Sequence, residues 1–401
     1  MTSIFPKLRL TLKSLRTYAG LKQRRDGGCT CLRTAIRITA LQMFIILVST
    51  FNAIEVIVVP RVLALTVGQD GWLVLIGGHF LSAIAVFFIV KLGMLYPHET
   101  FAEYAPKILG RFLGIPIVAV AAIFWVLICA RILRQFADFI QLILPQTPIE
   151  VIILTVLLVA GYIARHGIEP IARTIEILFP IFITILGLLV LGSLLEVDLM
   201  RLLPILDASP KILALESIKT SFGLEGQEIL LMLLPFMAIP EKAYSTVYGA
   251  LICNLVIRWA LFVAVIGFFG VELTKTLVWP VEELSRSLTI GGTFIGRFDS
   301  FLISLWVTVA FTSILVFLFL ASLTVSRIMK FREQSMTVLP LIPLIFIAAL
   351  LPDSIVTTEE WSDYLSNVWG VFIFTIPPLL LLISYIRGTH KKNSRERLKE
   401  R

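Results

Sequence analysis

Long apolar runs recur along the whole chain, and they constrain its fold more than any other feature. The stretches VIILTVLLVAGYI at 151–163 and LWVTVAFTSILVFLFLASLTV at 305–325 are apolar on every helical face. A surface helix of a soluble protein carries a polar face, and a strand of a transmembrane barrel alternates polar and apolar residues. Of the 401 residues, 58% are hydrophobic and 15% are charged, against about 45–50% and about 25% in soluble domains. The chain is therefore predicted to be an all-α polytopic membrane protein.

Runs of about 17–25 apolar residues are long enough to cross a bilayer as helices. Ten such runs predict ten transmembrane helices within one membrane domain at 36–388, between a basic tail at 1–35 and a second basic tail at 389–401. The ten predicted spans are 38–66, 71–95, 113–143, 150–165, 172–195, 213–238, 243–270, 299–326, 337–351 and 368–387.

Basic residues are concentrated in the two tails and in alternate loops. With ten spans both tails fall on one side, and the positive-inside rule makes that side the cytoplasm. The stretch that contains Asp353, Glu359, Glu360 and Asp363 has no Lys or Arg and is predicted to be an external loop. The tails carry no nucleic-acid-binding pattern, and a solvated or lipid-headgroup role explains their charge. We expect a multi-pass protein with both termini in the cytoplasm, whose partners include membrane lipids and no nucleic acid.

Two external stretches are predicted to lie on the membrane surface. Residues 196–212 mix acids with leucines, and residues 271–298 contain WPVEELSRSL with a tryptophan at the interface. Short amphipathic helices of this kind lie in the interfacial plane.

The sequence carries no signature of an enzyme or of a bound cofactor. Walker, Gly-x-Ser-x-Gly, His-Glu-x-x-His and Cys-x-x-Cys motifs are absent. Cys29 and Cys31 form a Cys-Thr-Cys pair without nearby histidines, and Cys129 and Cys253 lie inside predicted spans. We therefore predict no catalytic residues, no metal and no cofactor.

Polar residues interrupt two of the predicted spans. TFNAIEV at 50–56 interrupts the first, and SFGLEGQE at 221–228 interrupts the sixth with two glycines and two carboxylates. A charged residue near the bilayer centre costs about 2.5–3.5 kcal/mol, and glycine lowers helix propensity by roughly 1 kcal/mol against alanine. Transporters built from two inverted repeats bind substrate where the first helix of each repeat is broken. The two interruptions thus predict a five-plus-five inverted repeat with a site for a polar ligand at the breaks.

Several separated stretches occur in a characteristic order. They include LYPHETFAEYAPKILGRFLG at 95–114, ARHGIEPIARTIEILFP at 164–180 and SFGLEGQEILLMLLPFMAIPEK at 221–242. In order and spacing they resemble the endospore germination permeases, the B subunits of spore germinant receptors, within the amino acid, polyamine and organocation transporter superfamily. The resemblance runs from about Ile38 to Arg387.

This resemblance implies a ten-helix fold similar to that of the sodium-coupled leucine transporter. It implies a place in the spore inner membrane or cell membrane beside an A subunit and a lipoprotein C subunit. It also implies binding of a small nutrient, commonly an amino acid, that triggers germination. Gly226, Glu228 and Pro235 match the family's sixth span, and Pro60 with Arg61 match its first. The first span lacks the glycines that are usual in the family.

Candidate ligand-binding residues cluster at the two interruptions. Glu228 combines motif, membrane depth and glycine context, and its alternative role is a structural ion pair with Arg131 or Arg258. Arg131 is deep in the third span and needs a partner, for which the carboxylates of the sixth span are candidates. The predicted ligand-binding residues are Asn52, Ala53, Glu55, Arg131, Phe222, Gly223, Glu225, Gly226, Glu228 and Thr308.

Simpler roles stand beside some of these. Glu55 could be solvated by the external vestibule, and Thr308 could bond back to its own helix. Arg134 and Asp138 are spaced for an i, i+4 salt bridge, and His79 fits a packed or partnered histidine better than a ligand-binding one.

Two other functions stay open at the level of sequence. The same fold and site would serve a proton- or sodium-coupled transporter of amino acids or amines. A scaffolding subunit without a ligand site would fit the altered first span.

Overall fold

The computed structural model describes residues 37–52, 55–194, 196–288 and 298–388. In these ranges regular structure is helical apart from one isolated parallel bridge between Ile38 and Met237, so the all-α prediction is confirmed. The helices are α1 Ala40–Phe51, α2 Glu55–Val67, α3 Gly71–Leu95, α4 Phe101–Leu109, α5 Arg111–Ile143, α6 Ile149–Ala164, α7 Ile168–Ser193, α8 Pro210–Phe222, α9 Leu230–Leu233, α10 Ala243–Phe269, α11 Val271–Thr276, α12 Pro280–Ser287, α13 Phe298–Met329, α14 Ser335–Ala349 and α15 Ile355–Ile386.

Apolar helices account for every predicted span. Each of the ten predicted ranges overlaps one or more of these helical segments, while the number that crosses the membrane and the inverted repeat stay predictions. Long apolar stretches among the described residues are Val56–Leu95, Arg111–Gln141, Ile168–Ser193, Pro240–Phe269, Ser304–Met329 and Ile355–Ile386. Shorter apolar helices are Ala40–Phe51, Ile149–Ala164, Gln227–Phe236 and Ser335–Ala349. The chain is a multi-pass membrane protein.

The last helix begins well before its predicted start. Ser354 caps α15 through its hydroxyl, and the helix then runs from Ile355. Glu359, Glu360 and Asp363 therefore lie on the first turns of a helix, so the prediction that they belong to a loop was wrong, while their external position stays a prediction. Ser354 forms a capping box, which can start a helix in a polar stretch of sequence. A search for long apolar runs does not detect such a start.

The predicted interfacial helices are present only in part. Residues 196–212 contain a single 3₁₀ turn at Leu199–Leu202, and no α-helix precedes α8 among the described residues there. The described part of 271–298 contains α11 and α12. The two basic tails, 1–35 and 389–401, lie outside the described residues.

Two contacts hold the helices that surround the interruptions. Glycines on α3 let α8 approach closely, since a Cβ built on Gly78 would lie 2.8 Å from Cγ2 of Thr220. Between α5 and α15 the rings of Phe124 and Trp369 stack with centroids 3.6 Å apart. Close backbone approach and ring stacking stabilise helix pairs in a membrane, where lipid competes for apolar contact. The first contact involves Thr220, close in sequence to the break after Phe222, and the second joins the two long helices α5 and α15.

Candidate functional site

Both interrupted spans are broken as helices. The helix α1 ends at Phe51 and α2 begins at Glu55, whereas α8 ends at Phe222 and helical structure resumes at Gln227. Gly226 has φ +107°, in the left-handed region that residues with a side chain rarely adopt. The glycine thus allows the chain to turn between the two halves of the sixth span. Both interruptions agree with the sequence prediction.

The two breaks touch each other. A Cβ built on Gly226 would lie 2.8 Å from Cδ1 of Phe51 and 3.2 Å from Cγ2 of Thr50. The Gly226 N–H also donates to Oε2 of Glu228 at 2.9 Å. The glycine therefore allows the second break to pack on the end of α1, and the Glu228 carboxylate holds its backbone in place.

The end of α1 is capped by side chains. Arg258 on α10, which is 3% exposed, donates from Nη2 to the carbonyl oxygen of Phe51 at 2.7 Å. Asn52 donates from Nδ2 to the carbonyl oxygen of Val48 at 2.8 Å. The last carbonyls of a helix have no partner within it, and a cation is favoured at that end by the helix dipole. Arg258 supplies both a donor and a positive charge.

A buried ion pair joins the second break to α5. Arg131 and Glu225 are in contact through Nη2 and Oε2, with side chains only 2% and 4% exposed. Arg131 also donates from Nη1 to Oε1 of Gln135 at 2.8 Å and to Oγ of Ser362 at 2.9 Å. The predicted pairing of Arg131 with a carboxylate of the sixth span is confirmed. One guanidinium thus links α5, the break and α15.

Several buried acceptor oxygens around the breaks have no hydrogen-bond donor among the described residues. They are Oδ1 of Asn52, Oε1 of Glu225 and Oε1 of Gln227. Buried polar atoms are nearly always hydrogen-bonded, to protein, water or ligand. All three oxygens could accept a hydrogen bond from a molecule that carries N–H or O–H groups.

A cavity of about 350 Å³ lies beside the breaks. Gln135, Arg258 and Ser362 of the polar cluster just described line it, together with Gly223 at the second break. The opposite wall is apolar and comes from α2. Its residues are Val58, Val59, Val62 and Leu63.

Charged side chains also line this cavity. Glu216 and Lys219 of α8 pair at 2.7 Å, and Glu359 of α15 lies 3.7 Å from Arg61 of α2. Asp363, one turn after Glu359, also lines the cavity. The early start of α15 therefore places two carboxylates on one helix face at the cavity wall.

A family model described as "spore germination protein" matches residues 37–357. The chain belongs to the spore germination permease family. It is similar to spore germination protein YndE of Bacillus subtilis, with 32% identity over 353 residues that cover 86% of this chain and 96% of that protein. Spore germination protein A2 of the same organism is 26% identical over 366 residues, covering 88% and 96% of the two chains. Spore germination protein GerLB of Bacillus cereus is 26% identical over 341 residues, covering 84% and 91%.

Membership confirms the resemblance predicted from the sequence and gives the germination permease a role in spore germination. The family model and these relatives are all described as spore germination proteins. The family model covers the two breaks and ends inside α15, before Ser362.

The remaining predicted site residues of this germination permease lie in different settings. Ala53 lies outside the described residues. Glu55 is the first residue of α2, and the structure describes its backbone only. Phe222 packs against Gly370, with its ring 5.4 Å from that of Phe374. Thr308 donates from Oγ1 to the carbonyl oxygen of Ser304 in its own helix at 2.7 Å.

Some residues of the cluster were not among the predicted site residues. His79 on α3 lies with Nε2 2.7 Å from Oδ1 of Asn254 on α10, and its Nδ1 is 2.8 Å from the carbonyl oxygen of Leu75. The expectation of a partnered histidine is confirmed. Asn254 and Arg258 are four residues apart inside an apolar run, which is itself a signal for a bundle-facing polar stripe. Their spacing could have placed α10 at the site.

The expected salt bridge between Arg134 and Asp138 is also present. Nε of Arg134 lies 2.9 Å from Oδ1 of Asp138, and Oγ1 of Thr358 on α15 lies 3.5 Å from Oδ2 of the same carboxylate. This pair is about one turn along α5 from Arg131 and adds a second polar link between α5 and α15.

Proposed function

We propose that this chain is the membrane subunit of a spore germinant receptor that binds a small nutrient, an amino acid, beside the two helix breaks. The observation that carries this proposal is the contact of the breaks next to an open cavity of about 350 Å³. That volume lies within the range of about 300–1,000 Å³ that is common for small-molecule sites.

The chemistry of the cluster suits a zwitterion. The buried acceptor oxygens of Asn52, Glu225 and Gln227 do not line the cavity, and they would receive the N–H groups of an ammonium when the breaks open toward it. Arg258 lines the cavity and is the kind of donor that binds carboxylates. The apolar wall of α2 would contact the ligand's side chain. Glu228, held at the turn by the Gly226 N–H, would pair with the ammonium or carry a proton.

Binding must favour one conformation over another, because a ligand with equal affinity for both shifts nothing. A ligand ammonium that attracts Glu225 would compete with Arg131 for the same carboxylate. Arg131 would then change its contacts with Gln135 and Ser362 on α5 and α15. In this proposal that change passes to the A and C subunits and triggers germination.

The proposal includes an orientation. The cavity follows α2, the last turns of α8 and the first half of α15, and we place that side outside the spore inner membrane, where nutrients arrive. The two tails, 1–35 and 389–401, precede and follow the ten-helix domain at 36–388 in sequence. Both then lie in the cytoplasm, in accord with their positive charge.

The test uses spores that lack this chain, complemented with the wild type or with Glu228→Gln, and a panel of single amino acids, sugars and nucleosides. The expected result is loss of the response to one nutrient in the deletion, restored by the wild type and not by a Glu228→Gln protein present at the same level. Glu360→Gln is the matched control, since Glu360 is exposed on α15 and does not line the cavity. A deletion strain that responds normally to every nutrient would contradict the proposal.

A coupled transporter of amino acids or amines is the second candidate. Broken helices that meet at a cavity are the usual substrate site of such transporters. Uptake of a labelled amino acid by vesicles that contain this chain alone would favour transport over reception.

A further inference from the structure

The end of α1 is the place where a transporter with broken helices would hold a coupling cation. In such folds the C-terminal ends of half-helices and the unwound carbonyls beside them coordinate sodium. A fold similar to the sodium-coupled leucine transporter therefore implies a sodium site here. Whether these residues fit a sodium ion depends on what the carbonyls of α1 already bind.

The carbonyl that ends α1 already has a cationic partner. Phe51 accepts a hydrogen bond from the Arg258 guanidinium at 2.7 Å, and Val48 accepts from Nδ2 of Asn52 at 2.8 Å. Arg258 is 3% exposed, so water screens its charge poorly. A guanidinium stays protonated in proteins and cannot step aside as a neutral group. A second cation bound to the same carbonyl would lie next to this permanent charge.

The other atoms near the end of α1 that could ligate a metal ion do not form a separate metal site. Among the described residues, no group of three or more His, Cys, Asp or Glu side chains could hold a metal ion. Oδ1 of Asn52 is an unpartnered buried oxygen, but it belongs to the residue after Phe51 and therefore lies close to the carbonyl that Arg258 occupies. The described residues at the end of α1 thus do not fit a sodium ion.

Arg258 is also held by its own helix. Asn254, one turn earlier on α10, contacts His79 of α3 at 2.7 Å, and α10 packs along both α1 and α3. The guanidinium is therefore carried by an anchored helix toward the end of α1. A positioned arginine, unlike a diffusing ion, keeps this end charged at all times.

We propose that Arg258 is a resident cation that takes the place of sodium at the end of α1, so that binding at the breaks is independent of sodium. This inference rests on the proposed function, because it states that nutrient binding at the breaks requires no sodium ion. Arg258 acts here as a positioning residue that holds the half-helix in its place beside the second break.

The test measures thermal unfolding of the purified full chain in detergent, without nutrient, in sodium, potassium and choline chloride at equal ionic strength. The wild type is expected to unfold at the same temperature in all three salts. Arg258→Met removes the fixed charge and exposes the Phe51 carbonyl, so its unfolding temperature should be lower and should rise saturably with sodium but not with choline. Arg258→Lys keeps a positive charge and should stay insensitive to sodium.

Arg387→Met is the matched control. Arg387 donates from Nη1 to the carbonyl oxygen of Ile108 at the end of α4 at 2.7 Å, but it is exposed and lies away from the breaks. Its loss should create no sodium dependence. Should Arg258→Met fail to fold, Arg258→Gln takes its place, since it keeps a donor without the charge.

Two outcomes overturn the proposal. Selective, saturable stabilisation of the wild type by sodium would show that a sodium site exists beside Arg258. Insensitivity of every uncharged Arg258 variant would show that the arginine replaces no ion. Because no nutrient is present, neither outcome depends on whether the chain binds an amino acid. A failed germination assay with the expected salt behaviour would refute only the proposed function.

Discussion

The guanidinium of Arg131 and the carboxylate of Glu225 form an ion pair in which both side chains are almost completely buried. The pair joins α5 to the turn in the sixth span, and the same guanidinium reaches α15 through Ser362. Opposite charges in such a place carry a large desolvation cost, which their mutual attraction and the extra hydrogen bonds must offset.

The first prediction concerns removal of one partner of this pair. Glu225→Gln or Arg131→Gln leaves a buried charge alone and should reduce the free energy of unfolding by about 3–5 kcal/mol. The double variant, which has no charge left, should recover much of this loss. Chemical unfolding of the purified chain and the double-mutant cycle measure it, and single variants as stable as the wild type would contradict the assigned pairing.

The second prediction concerns the turn at Gly226. Gly226→Ala places a Cβ within 2.8 Å of Phe51 at φ +107°, and a side chain in a strained backbone region costs about 1–3 kcal/mol. The thermal unfolding temperature should therefore fall. Gly187→Ala is the control, because a Cβ there meets nothing within 4 Å in the middle of α7, and it should be neutral or stabilising. Equal effects of the two substitutions would count against the turn geometry.

The sequence was sufficient to predict the apolar helices and both breaks, because each depends on local signals. Apolar runs identify spans through the cost of burying backbone and charge in lipid, and the glycines at 223 and 226 identify the second break. The pairing of Arg131 with the sixth span followed from the need of a buried charge for a partner. These are properties of single segments or of single charges.

Other features required the folded structure. Nothing local indicates that Arg258 reaches the carbonyl of Phe51, more than 200 residues away in the chain. The sequence did not predict that Glu359 and Asp363 line the cavity. The first half of α15 is polar, so the apolar run alone placed the start of this helix too late. Thr308 was predicted to bind ligand, but its hydroxyl donates to a carbonyl of its own helix. Threonines inside helices often make this local hydrogen bond.

The third prediction concerns the two neutral partners of Arg131. Nη1 of the guanidinium donates to both Gln135 and Ser362, so either partner can satisfy part of its hydrogen-bonding capacity. Gln135→Met and Ser362→Ala should each cost about 1 kcal/mol, less than the roughly 1.5–3 kcal/mol of a hydrogen bond to a charged group, because the other neutral partner remains. The double variant should cost more than the sum, because the buried guanidinium then keeps Glu225 alone. A strictly additive cycle in chemical unfolding would contradict a shared network.

The fourth prediction concerns the apolar wall of the cavity. Val59 of α2 lines the cavity, so Val59→Trp should fill part of the 350 Å³ volume and exclude a small nutrient. Leu65→Trp is the control on the same helix, because Leu65 is 56% exposed and does not line the cavity. In complemented spores the cavity variant should raise the nutrient concentration needed for half-maximal germination at least tenfold, which corresponds to about 1.4 kcal/mol of binding free energy. The control should leave that concentration unchanged, since a tryptophan there faces away from the cavity. With equal protein levels in the two strains, an unshifted dose response for Val59→Trp would place the nutrient elsewhere in the molecule.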